Sequence, residues 1–128
     1  MQEPHLYEYA IIRLVPRVER EEFINIGVIV YCKELSYLDC KYHLNENRLH
    51  CLTTKELDIP ELKAHLDSFV GIAKGIKNNH PISALDPGSR FRWLTAIRST
   101  IIQSSRIHPG RAKDPAKAFT DLFEKMVL

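Results

Sequence analysis

The sequence has almost no excess of charge, with 18 Lys+Arg against 16 Asp+Glu and a net of +2 over 128 residues. That is too little to imply a nucleic-acid partner on its own, so an electrostatic role must come from local clustering. Cysteine is scarce: Cys32, Cys40 and Cys51 make an odd count with no C-x-x-C pair, which excludes a disulfide framework and predicts free thiols in a reducing compartment. No apolar run approaches the ~18 residues of a membrane-spanning helix. The opening Met1-Gln2-Glu3-Pro4-His5 has no basic, apolar leader pattern, so a cytoplasmic location is expected. Also missing are G-x-x-x-x-G-K-[ST], G-x-G-x-x-G, G-x-S-x-G, H-E-x-x-H and zinc-type Cys/His spacing. The one local His/Cys grouping, His43 and His50 with Cys40 and Cys51, reads better as surface histidines and packed thiols, so neither metal nor cofactor is expected. There is no internal repeat and no Gly/Ser linker, which predicts one domain over residues 1–128.

What is present is alternation, then helical periodicity. Residues 6–15 read as a strand with Tyr7, Tyr9, Ile11, Arg13 and Val15 on one face and Ala10, Ile12 and Leu14 on the other. Residues 23–32 form a nearly continuous apolar run, as a strand covered on both faces would, with Gly27 marking a bulge or a close backbone approach. The short link between the two predicts an antiparallel pair. Residues 37–44 alternate cleanly, and residues 48–52 are read as a further short strand.

Residues 58–76 carry the clearest helix. Asp58 stands at the cap, Pro60 in the first turn and Glu61 in a D-x-x-E pattern, and Leu62, Leu66, Phe69, Val70, Ala73 and Ile76 recur at helical spacing. A last helix over residues 114–127 is capped by Asp114 and buries Phe119, Leu122 and Phe123. Between them, residues 90–94 fit either a short helix or a strand, residues 100–104 read as a strand, and His108-Pro109-Gly110 reads as a turn. The expected fold class is α+β: a mostly antiparallel sheet of three to five strands with the two main helices packed on one face.

The candidate site lies in the most polar-dense stretch, residues 98–110. Arg98, Ser99, Thr100, Gln103 and His108 combine a guanidinium fork, hydroxyls, an amide and an imidazole, the groups that hold a phosphate or carboxylate. Arg13, inside an apolar strand, needs a partner or an anion, and Arg17 follows it in a charged turn. Arg98, Ser99, Thr100, Gln103 and His108 are expected to converge with Arg13 or Arg17 on one concave, anion-binding surface, which makes seven candidates in all. In the plainer reading Arg98 pairs with an acid, the hydroxyls satisfy backbone groups and Trp93 is core.

Two segments, residues 9–29 (with Pro16-Arg17-Val18-Glu19-Arg20-Glu21-Glu22-Phe23-Ile24-Asn25-Ile26-Gly27) and residues 91–103 (with Arg98-Ser99-Thr100), resemble the bacterial family of domain of unknown function 3037, as do His108, Gly110 and Asp114-Pro115. Ile97 stands where that family often has proline. The resemblance implies a bacterial protein and, as partner, a HipA-like kinase. The residues themselves favour a non-enzymatic binding or regulatory module for an anionic ligand or protein partner. The alternatives are a small enzyme on a phosphate-bearing or nucleic-acid substrate, with His108 as acid–base and Arg98 as anion stabiliser, and a structural subunit that docks a neighbour.

Overall fold

A computed structural model describes residues 3–52, 57–76, 80–96, 98 and 100–128. Five strands make one sheet in the order β3-β2-β1-β4, with β5 on the same edge of β1 as β4. The strands are β1 (His5–Leu14), β2 (Ile24–Cys32), β3 (Tyr37–Tyr42), β4 (Ile102–Ser104) and β5 (His108–Ala112), and every pairing is antiparallel. β1 and β2 pair as the short link requires, from Glu8 opposite Tyr31 to Leu14 opposite Ile24. Of the four α-helices among the described residues, α1 (Glu46–Leu52), α2 (Ile59–Lys74), α3 (Pro87–Leu94) and α4 (Pro115–Met126), the last three begin with an aspartate cap. The carboxylates of Asp58, Asp86 and Asp114 accept from the main-chain N–H of Glu61, Ser89 and Ala116 at 3.0–3.1 Å, and a proline sits in each first turn.

Gly27 fulfils both of its expected roles. Ile12 faces Gly27 but Arg13 faces Asn25, so Ile26 is an extra residue and the strand bulges there. A Cβ at Gly27 would stand 2.8 Å from the Lys41 carbonyl oxygen, so no other residue fits without a backbone shift. The bulge also moves Asn25 to the opposite face from the one simple alternation assigns it.

The α+β class is as the sequence indicates, and the helices divide between the two faces of the sheet rather than sharing one. Ala10, Ile12, Ile29 and Cys40 pack with Leu62, Leu66, Phe69, Phe91 and Leu94 of α2 and α3. Ile11, Val28 and Val30 point the other way and pack with Phe119, Phe123 and Val127 at α4. The physical reason is in β2: a strand apolar on both faces needs a cover on both, and one helix layer cannot supply two.

Two local expectations are corrected. Residues 48–52 belong to the helix α1, not a strand; Asn45 Oδ1 accepts from Arg48 N–H at 3.2 Å and caps it, while Leu49 plunges into the core. His108-Pro109-Gly110 opens strand β5 rather than turning the chain. An edge strand tolerates Pro109 because half of its N–H groups have no ladder partner. Gly110 leaves room for the Tyr7 ring opposite, which a Cβ there would displace. Residues 90–94 resolve as helix, within α3. Cys32 and Cys40 are buried and Cys51 is exposed, all three as free thiols. Among the described residues no helix is long and apolar enough to cross a membrane.

Candidate functional site

A helix ends with carbonyls that have no partner within it, and these accept bonds from cationic side chains. Arg98 serves that purpose at the end of α3. Its Nη1 donates to the Leu94 carbonyl at 3.2 Å and its Nη2 to that of Trp93. The guanidinium lies 4.6 Å from the Trp93 ring centroid and 5.7 Å from that of Phe69, and burial lowers its pKa. Arg90 donates to Leu85 and Ala73 at 2.7 and 3.4 Å. Arg48 donates to Val127 at 2.9 Å, and Asn25, re-aimed by the bulge, donates to Met126 at 3.2 Å. Three arginines and an asparagine thus tie down the C-terminal ends of α2, α3 and α4. Trp93 is half-buried against His80 at 4.8 Å, and Phe91 is fully buried, so Phe91 offers no stacking surface.

Arg13 is arranged differently. It projects on the α4 side of the sheet, with its guanidinium 4.1 Å over the ring of Phe23, which is 45% exposed. Its Nε is buried without an acceptor. No carboxylate comes within 4.0 Å of it among the described residues, where the ion pairs are His5–Glu34, Arg20–Glu22 and Arg92–Glu8. Arg90 Nε also lacks an acceptor, but both terminal nitrogens of Arg90 are bound. Gln103 is the cross-strand partner of Arg13, so the two side chains share a face.

From there the contacts lead outward. Gln103 Nε2 donates to the Thr100 carbonyl at 2.8 Å, and Thr100 Oγ1 donates to the Ile102 carbonyl at 2.7 Å. Thr100 and Arg17 line one open cleft of about 620 Å³ with Val15, Pro16, Val18, Glu19 and Ile101. Four of the seven candidates, Arg13, Arg17, Thr100 and Gln103, therefore form one connected region. Ser99 lies outside the described residues. Arg98 is held in the α2–α3 layer, whereas His108 stands on the α4 side, opposite Tyr9 with ring centroids 5.3 Å apart. Arg98 and His108 are thus not placed to act on one substrate.

Sequence reasoning passed over three features of this region. Phe23 forms the platform under Arg13, and an aromatic ten residues along, just before the adjacent strand, is a readable signal. Ser105 is buried, and its hydroxyl accepts from Ile11 N–H at 2.8 Å and donates to the Arg106 carbonyl at 2.9 Å, which repairs the sheet between β4 and β5. The third is a groove between β5 and α4, about 520 Å³, lined by Tyr7, Arg111, Lys113, Lys117 and Lys125 among others. Among the described residues no three His, Cys, Asp or Glu side chains gather as a metal ion would need.

Fold and site together define an α+β protein with a two-sided sheet and a cationic region on the side that α4 only partly covers. The chain belongs to the family described as Protein of unknown function (DUF3037), whose model matches residues 9–127. No curated protein and no solved structure matches it.

Proposed function

We propose that this protein is a non-enzymatic binding or regulatory module that receives an anionic group at Arg13. The observation that carries this is the state of the Arg13 side chain: stacked on a half-exposed phenylalanine, with a buried N–H that has no acceptor, beside the Gln103 amide. A buried donor without a partner costs roughly 1–3 kcal/mol, and a phosphate or carboxylate arriving at the guanidinium fork relieves that cost. Arg17 extends the same surface as a further donor. Native mass spectrometry of the protein isolated from its own cells tests the reading. A retained anionic ligand or partner in the wild type, lost from Arg13→Ala, is expected. Retention of the same mass by Arg13→Ala would overturn it.

A further inference from the structure

The groove between β5 and α4 is a cationic concavity that the Arg13 site does not use. Arg111, Lys113, Lys117 and Lys125 line it against two carboxylates, Asp114 and Asp121, so the groove carries a surplus equal to the +2 of the whole chain. None of the four cations has an ion-pair partner within 4.0 Å among the described residues, and Asp114 is engaged at the α4 cap. A surplus concentrated in a cleft attracts anions more strongly than the same charge spread over a surface.

Tyr7 links this groove to a row of rings. Its ring lies across the Gly110 backbone, in the space a Cβ there would take. Burial, and then the neighbouring Tyr9, raise the Tyr7 pKa, so its hydroxyl is a hydrogen-bond donor at neutral pH. The Tyr7 and Tyr9 centroids are 6.1 Å apart, and those of Tyr9 and His108 are 5.3 Å apart. His108 stands on the edge strand, so the row runs from the cationic groove to the open border of the sheet. A cationic groove that continues into aromatic rings on a sheet combines the two elements that hold a nucleotide: charge for the phosphate and π-faces for the base. The volume is in the range of small-ligand pockets.

We propose that the β5–α4 groove binds a nucleotide, with its phosphate among Arg111, Lys113 and Lys117 and its base against the Tyr9–His108 rings, the nucleotide being either free or one unit of a single strand. This goes beyond the Arg13 reading and shares no residue with it.

The test is fluorescence anisotropy on the full chain with a labelled ten-nucleotide single strand of mixed sequence at low and high salt, with AMP and inorganic phosphate as competitors. Binding that weakens as salt rises is expected, because each phosphate neutralised releases a counterion. The double variant Lys113→Glu/Lys117→Glu should lose tenfold or more, and His108→Ala roughly tenfold, as one stacked base does. Arg13→Ala should bind as the wild type does, which separates this proposal from the Arg13 site. If AMP displaces the probe at concentrations near its own affinity, the ligand is a free nucleotide; if AMP is at least tenfold weaker than the strand, the ligand is the strand. Either supports the proposal. Lys117→Gln, which keeps the helix and removes one charge, replaces the double variant if melting shows the latter unfolded. Absence of binding by every probe, unchanged affinity on charge removal, or inorganic phosphate competing as well as AMP with His108→Ala silent, would each overturn it.

Discussion

On the α2–α3 side of the sheet Arg90 and Arg98 are tied to main-chain carbonyls, whereas on the α4 side Arg13 meets the ring of Phe23 and no acceptor among the described residues. The two environments differ in what surrounds the charge. Arg98 lies at a helix end, where carbonyls need donors. Arg13 lies on a strand whose own ladder is complete through β2 and β4, so the backbone has nothing to offer it. The arginines thus divide into architecture and available donors.

The largest expected effect tests whether the α2–α3 side is the main core. Phe91, fully buried and stacked on Tyr31 at 5.2 Å, should cost about 3–5 kcal/mol as Phe91→Ala. On the other side Phe119→Ala, at 7% exposure in the smaller cluster, should cost about 2–4 kcal/mol. Urea midpoints read both, and an unchanged midpoint for Phe119→Ala would show that α4 does not hold its face. Gly27→Ala comes next, at about 1–3 kcal/mol, because its Cβ meets the Lys41 carbonyl, which is backbone and cannot move aside.

The strand side carries a pH dependence. Burial, with Asp39 and Asp114 adding to it, pushes the Tyr37 pKa to about 12. Burial and the bond to Asp67 push Tyr42 to about 12. Both folded values lie above the ordinary tyrosine value of 10.0, so the folded state favours the protonated form more than the unfolded state does. That contribution is complete below pH 10 and is lost as pH rises through about 12. Melting temperature should fall across that window alongside tyrosinate absorbance, and Tyr42→Phe should shrink the fall. The smallest effect belongs to the exposed Glu8–Arg92 pair, bonded at 2.9 and 3.0 Å. Glu8→Gln should cost no more than about 1 kcal/mol by denaturant midpoint.

Much of this fold is legible in the sequence because its strands alternate and its helices carry caps. The two faces of β1 are those that Tyr7, Tyr9, Ile11 and Ala10, Ile12, Leu14 define in the sequence. The misreadings have physical causes. Pro109 and Gly110 carry turn chemistry, but here one sits on an edge and the other makes room for Tyr7. Residues 48–52 alternate over too short a span to outweigh the Asn45 cap. The site was legible as composition and not as geometry. Nothing local distinguishes an arginine whose donors reach carbonyls four and five residues back, as those of Arg98 do, from one on a strand with none in reach.

The most direct measurement is a paired one on Arg98→Ala and Arg13→Ala: a denaturant midpoint and native mass spectrometry for each. Arg98→Ala should lose roughly 1.5–3 kcal/mol of stability, as charge-assisted bonds to carbonyls do, while what remains folded keeps the ligand. Arg13→Ala should stay within about 1 kcal/mol of the wild type, since the lost contact with Phe23 is offset by removal of an unpaired buried donor, and should lose the ligand. The opposite pattern, a destabilised Arg13→Ala beside a stable Arg98→Ala that no longer binds, would contradict the division of these arginines into architecture and site.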